Sequence, residues 1–140
     1  MKILATKMNM TQVWKDNLVI PVSPLKLEDV SKMEELKEGE EIKVRGISKG
    51  KGFSGVVKRH GFHGGPKTHG QKNRQRAPGS IGSTAPQRVL PGRRMAGRGG
   101  GAKTTLRGSR VISLNKDNGI VMVSGSVPGN VGGKIEIIKI

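Results

Sequence analysis

The 140-residue chain has no cysteine and no tyrosine, and its aromatic residues are Trp14, Phe53 and Phe62. The absence of cysteine excludes disulfides and thiolate metal sites, which fits a reducing compartment. No apolar run approaches the roughly 20 residues that a membrane helix needs, and the first ten residues lack the apolar core of a secretory signal. We therefore expect a soluble, unprocessed, intracellular protein.

Acidic residues are missing from the middle of the chain. All ten lie in residues 1–41 or 117–140, whereas residues 42–116 contain 18 Lys or Arg. The flanks carry eight bases and ten acids and sum to −2, which with +18 gives the net charge of +16. Like charges at this density oppose compaction. Double-stranded nucleic acid, with about one phosphate per ~1.7 Å of helix axis, is the counterpart that would neutralise them.

The missing carboxylates also argue against an enzyme. General acid–base chemistry and two-metal phosphoryl transfer need carboxylates in the site, and a serine–histidine pair here would have nothing to orient the histidine. Gly50–Gly55 fits the pattern G-x-G-x-x-G. A dinucleotide site also needs a following helix and an acid about 20 residues further on, and no acid occurs before Asp117. We expect no enzyme activity and no cofactor.

The three histidines, His60, His63 and His69, raise the question of a metal. They lie on glycine-rich backbone with no cysteine or carboxylate nearby, whereas structural zinc usually takes four ligands. We expect no metal site, and we expect these side chains to hydrogen-bond phosphates or riboses or to stack.

The flanks predict β structure. Short strands are expected in KILAT, on both sides of Asp16-Asn17 in QVWKDNLVIPV, in EIKVRGIS, around Val56 and Val57, in SRVISLN and IVMVS on either side of the turn KDNG, and in GKIEIIKI. Trp14, in the apolar first hairpin, is expected in the core. Ser31–Glu34 matches a capping box before a short helical turn, an acidic surface loop being the alternative.

Several short strands punctuated by glycine and proline favour a small barrel. We predict a mostly β fold: a small β-barrel body formed by residues 1–60 and 104–140, with a long, irregular, basic loop extension over residues 61–103.

The middle segment shows no period of 2 or 3.6 residues between Lys67 and Lys103. Glycine and proline interrupt any regular element, so the segment alone should be disordered, and a flexible linker is one interpretation. Against it, strand-like segments flank the stretch on both sides, and loops beyond ~12–15 residues in compact domains are usually functional or disordered. At ~3.3 Å per residue, its 37 residues could reach at most ~60 Å out and back.

The type of nucleic acid follows from what the segment contains. Arginine outnumbers lysine six to three in it, and the arginine fork can bind phosphate bidentately and stack on bases. The low number of aromatic residues argues against proteins that bind single-stranded nucleic acid by stacking its bases on aromatic side chains. No recognition helix for DNA is visible in the sequence. These features favour a ribbon that fits the grooves of a prefolded RNA.

The residues from Ile47 to Gly100 closely resemble the central region of the L-three family of large-subunit ribosomal proteins. The most specific pieces are SKGKGFSG (48–55), GGPKTHG (64–70), RAPGSIG (76–82) and GRRMAG (92–97), and GSVPGNVGG (125–133) also fits. The chain is shorter than members usually are, with the deficit between Val22 and Glu41. Ser83-Thr84-Ala85 follows the Gly-Ser-Ile-Gly run, so the glutamine methylation of bacterial members is not carried over to Gln87.

The resemblance implies a structural protein of the large subunit, located in the cytoplasm or in an organellar ribosome. It would bind 23S-type rRNA early in assembly, pack against neighbouring ribosomal proteins, and send a loop toward the peptidyl-transferase region. A membrane or a small-molecule substrate is not expected as a partner. The candidate RNA-binding residues are Lys49, Lys51, Lys58, Arg59, His60, Lys67, His69, Lys72, Arg74, Arg76, Arg88, Arg93, Arg94, Arg98, Lys103, Arg107 and Arg110.

Two other functional classes remain open from the sequence. A general nucleic-acid compactor of the histone-like kind would bind DNA and RNA alike, whereas the ribosomal interpretation requires a preference for one folded rRNA domain. An RNA-modifying enzyme is disfavoured by the missing carboxylates.

Overall fold

The computed structural model describes residues 2–140. The chain forms two compact units: unit 1 contains residues 2–49 and 101–140, and unit 2 is Gly50–Gly100. Across residues 2–140, none of the helices has the length and hydropathy that a membrane crossing requires.

Strands dominate the described part of the chain, which confirms the predicted mostly β class. Its nine strands are β1 Lys2–Lys7, β2 Thr11–Lys15, β3 Leu18–Leu27, β4 Glu41–Ile47, β5 Phe53–Ser54, β6 Gly97–Arg98, β7 Lys103–Asn115, β8 Ile120–Ser124 and β9 Lys134–Lys139. Its helical elements are a 3₁₀ turn at Val30–Glu35 and α1 at Val56–His60.

Unit 1 is one antiparallel sheet of seven strands in the order β1-β9-β4-β7-β8-β3-β2. Strand β1 also pairs with β3, with Ala5 opposite Leu27, so the pairing returns to its first strand. Strand β2 pairs with β3 and adds to the sheet outside that ring.

Period-2 alternation places the core of unit 1 on one face of the sheet. In β9, Ile135 and Ile137 are buried, and Ile137 lies opposite Val44 of β4. Met33 and Leu36, in and just after the 3₁₀ turn, belong to the same cluster. β-Branched residues are suited to this pleated, half-buried surface. The members of the cluster are Ile3, Ala5, Leu25, Leu27, Met33, Leu36, Ile42, Val44, Val111, Val121, Val123, Val127, Ile135 and Ile137.

Both predicted hairpins are confirmed. Asp16 and Asn17 form the two-residue turn between β2 and β3, with φ of 48° and 65°. Positive φ at both central residues is the geometry that favours Asn and Asp in tight hairpin turns. The second hairpin joins β7 to β8 through residues 116–119.

Three local predictions were wrong. Val56 and Val57 begin the helix α1, which ends at Gly61 in the left-handed conformation, because two β-branched residues among glycines are too short a pattern to specify a strand. The 3₁₀ turn has Asp29 at its N-cap and no side-chain cap, so Ser31 lies inside the turn and forms no capping box. Trp14 is 68% exposed, since its side of the edge hairpin is left uncovered.

Unit 2 has little regular structure. Strands β5 and β6 pair at Phe53–Arg98 and Ser54–Gly97, and Lys51 N donates to Gly99 O at 2.8 Å. Between α1 and β6, residues 61–96 form turns and bends with no helix or strand. Throughout Gly50–Gly100, all of which the structure describes, Ser54 and Val56 are the buried residues.

Candidate nucleic-acid interface

The two units differ in their charge. Unit 2 contains eleven Lys or Arg and no acid, whereas unit 1 has fifteen bases and all ten acids. In unit 1, ion pairs join Lys139 to Glu40 at 3.0 Å and Lys134 to Glu28 at 3.5 Å. No such pairing can form within unit 2, so its positive charge must be neutralised by solvent ions or by a partner.

The structure places the seventeen candidate residues on both units. Sixteen side chains are exposed and His60 is half-buried. Unit 1 carries Lys49, Lys103, Arg107 and Arg110, and unit 2 carries Lys51, Lys58, Arg59, His60, Lys67, His69, Lys72, Arg74, Arg76, Arg88, Arg93, Arg94 and Arg98. The function of each in RNA binding stays a prediction.

Three of these side chains have partners inside unit 2. The Arg59 Nη1 donates to the Met95 carbonyl at 3.0 Å, and the His60 Nε2 lies 3.0 Å from the same oxygen. Arg93 Nη2 donates to the Ser80 carbonyl. These bonds join α1 and residue 80 to the stretch that precedes β6, so Arg59, His60 and Arg93 help to hold the irregular backbone of unit 2.

Within residues 2–140, the other cationic side chains of unit 2 have no hydrogen-bond or ion-pair partner. Across the described residues 2–140, the side chains of Lys67, Arg74, Arg88 and Arg94 form neither a hydrogen bond nor an ion pair with protein atoms. Exposed guanidinium groups without internal acceptors are free to bind phosphate oxygens bidentately.

The histidines are not gathered into a metal site. Within residues 2–140 no group of three or more His, Asp or Glu side chains is placed to hold a metal ion. The ring of His60 lies near that of Phe62 instead, with 5.9 Å between centroids and 42° between planes. His69 has a positive φ of 58° in a turn.

Lys7 of unit 1 has a structural role that the sequence did not reveal. Its Nζ donates to the carbonyls of Val127 and Gly129, both at 2.8 Å. Burial lowers the pKa of Lys7, and the nearby charge of Lys49 lowers it further. Lys7 thus stabilises the glycine-rich loop before β9.

A cleft in unit 2 was also missed at the sequence level. Its volume is about 660 Å³, and Phe62, Gln71 and Arg74 are among its lining residues. The aromatic count identified Phe62 but gave no sign that irregular backbone would build a concave surface beside it.

Comparison with known proteins agrees with the sequence motifs. The family model described as Ribosomal protein L3 matches residues 3–124. The chain is 48% identical over 111 residues to the large ribosomal subunit protein uL3 of Chloroherpeton thalassium, covering 79% of this chain and 53% of that protein. It is 51% identical over 116 residues to uL3 of Salinibacter ruber, covering 81% and 56% respectively.

The chain therefore spans about half the length of the curated relatives that it matches. The match of the family model over most of the chain and the identity close to one half over three quarters of it lead to one conclusion: this chain belongs to the ribosomal protein L3 family.

Proposed function

We propose that this chain is a structural, non-catalytic constituent of the large ribosomal subunit. The observation that carries the proposal is unit 2: eleven cations and no carboxylate in 51 residues, displayed on irregular backbone in a member of the L3 family. In this proposal the chain binds 23S-type rRNA, supports early subunit assembly and works in the cytoplasm beside neighbouring ribosomal proteins.

The two parts of the chain would have different roles, one as a folded body and the other as an rRNA-binding loop. The ring of pairing through β1, β9, β4, β7, β8 and β3 supports a small barrel as the folded body. Residues 61–103 would be the loop that enters the rRNA and approaches the peptidyl-transferase region. The lack of helix or strand in residues 61–96 supports that proposal, because such backbone can follow a groove of any shape.

Electrostatic attraction to the phosphates would be the main contribution to RNA binding. Neutralising phosphates with Lys and Arg releases condensed counterions, and positively charged, glycine-rich backbone can approach a phosphate ribbon closely. Arg88 and Arg94 are exposed and form no hydrogen bond or ion pair with residues 2–140, so they are suited to bidentate phosphate contacts.

The test is crosslinking of the chain to total cellular RNA, followed by sequencing of the bound RNA. We expect enrichment of one region of 23S-type rRNA, with crosslinks from unit 2. Equal recovery of unrelated RNAs, together with equal affinity for DNA, would contradict the ribosomal proposal and favour a general nucleic-acid compactor.

A further inference from the structure

The cleft of unit 2 is an open concave surface lined by two stretches, residues 60–66 and parts of residues 71–79, and on a third side by Arg94. Its volume of about 660 Å³ falls within the ~300–1,000 Å³ typical of small-ligand clefts. No carboxylate lines it, whereas an aromatic ring, two histidines and two guanidinium groups do. The lining is therefore suited to an anionic ligand with a flat ring.

Close contacts of the backbone set the shape of this cleft. The Gly65 N donates to the Gln75 carbonyl at 3.0 Å, so the first two stretches cross there. Gly64 has φ of +76°, and a Cβ added to it would overlap the Gln75 carbonyl oxygen. The contact of His60 with the Met95 carbonyl fixes the third side next to Arg94. Main-chain contacts and the His60 side chain thus shape the cleft, and no apolar core lies behind it in unit 2.

The groups that face the cleft match the two parts of a nucleotide. Phe62 is half-buried, with its ring 5.9 Å from that of His60. An aromatic ring of this kind stacks on an unpaired base. Arg74 and Arg94 are exposed and can bind phosphate through their planar forks. Two phenylalanines cannot form a platform for several bases, but one ring suffices for one base.

We propose that this cleft binds a single unstacked nucleotide of the RNA partner. The base lies against Phe62, and the phosphate is held by Arg74 and Arg94. The inference rests on the proposed function and extends it, because it assigns one base-contacting position to a unit whose other cations contact the RNA backbone.

The test uses the full chain and three short RNAs: a duplex with one bulged adenosine, the same duplex with an abasic bulge, and the fully paired duplex. We expect the adenosine bulge to bind about 5- to 100-fold more tightly than the abasic bulge, the range that loss of one base–aromatic stack gives. Phe62→Ala should abolish this difference. Phe53→Ala is the matched control, because Phe53 is in the same unit, is 79% exposed and does not line the cleft.

A second variant guards against a folding artefact. Ala77→Leu adds bulk to a half-buried lining residue and keeps the Phe62 ring, so it should also remove the preference for the adenosine bulge. If wild type binds the three RNAs equally, or if both variants keep the preference, the cleft inference is overturned while RNA binding stands. If wild type binds an rRNA domain transcript but none of the three short RNAs, the cleft inference is overturned; if it fails to bind the transcript as well, the proposed function itself is contradicted.

Discussion

The two units of this chain differ in what can hold them together. Unit 1 has a cluster of fourteen buried hydrophobic residues and a closed series of strand pairings. Unit 2 has Ser54 and Val56 buried among its 51 described residues. Hydrophobic burial is the dominant favourable term in folding, so the first unit can be stable alone. We expect the second to reach a stable conformation only when a polyanion neutralises it.

Hydrogen bonding shows the same contrast. In unit 1, the backbone N–H and C=O groups are hydrogen-bonded between paired strands, for example between β4 and β9 and between β3 and β8. In residues 61–96 the backbone bonds are mostly short-range turns, such as Gln87 N to Thr84 O at 2.9 Å. Regions with few buried apolar contacts and exposed hydrogen bonds open at low free-energy cost. The comparison therefore predicts that charge, salt and RNA affect unit 2, while core substitutions affect unit 1.

Salt should produce the largest effect. With ~6–10 phosphates neutralised, affinity of the full chain for an rRNA domain transcript should fall about 10³- to 10⁵-fold between 50 and 200 mM salt, because counterion release is lost. Filter binding or fluorescence anisotropy across that range measures it. A fall in affinity of less than about tenfold would contradict the proposed contrast between the units, because unit 2 would then bind RNA without using its charge.

Truncation of a core side chain in unit 1 should have the second-largest effect. Ile137→Ala removes a side chain that is 0% exposed and should lower the free energy of unfolding by about 2–5 kcal/mol. The matched change Leu90→Ala, at a unit 2 side chain that is 57% exposed, should change it by less than about 0.5 kcal/mol. Denaturant titration followed by circular dichroism compares the two. An equal cost at Leu90 would mean that unit 2 has a core of its own.

Charge reversal in unit 2 should weaken RNA binding without unfolding unit 1. Arg93→Glu with Arg94→Glu should reduce the slope of log affinity against log salt by about 2, one for each phosphate contact. It should also impair subunit assembly and leave the melting temperature unchanged.

The control for that pair is Lys15→Glu with Lys26→Glu, the same charge change at exposed positions of unit 1. A slope reduced equally by the control would mean that net charge, and not the position of the charge, governs binding. A sharp fall in melting temperature for the arginine pair would mean that Arg93, which also donates to Ser80, is needed for folding.

The smallest effect concerns Lys7 in unit 1. Burial lowers its pKa from 10.5 and the charge of Lys49 adds to this, so in spectra of ¹³C-methylated lysines it should titrate below 10.5. Lys49→Ala should raise the pKa of Lys7 slightly. Because the unfolded chain holds this proton more tightly, the contribution of Lys7 to stability should increase as pH rises from its folded-state pKa to 10.5. An unchanged pKa in Lys49→Ala would exclude the repulsion.

Much of unit 1 could be predicted because period-2 patterns and tight-turn residues act locally. The turn at Asp16-Asn17 and the strand predicted in GKIEIIKI, which is observed as Lys134–Lys139, are examples. Trp14 could not be placed, because an apolar hairpin does not indicate whether another element covers it. The family was recognisable from motifs in unit 2, but the cleft beside Phe62 was not, because it depends on the crossing of Gly65 with Gln75.

Amide hydrogen exchange of the free chain and of its rRNA complex tests the contrast between the units most directly. We expect the strands of unit 1 to be protected in both samples. Residues 61–96 should exchange freely without RNA and become protected in the complex. Protection of residues 61–96 in the RNA-free chain, at the level of the unit 1 strands, would contradict the account.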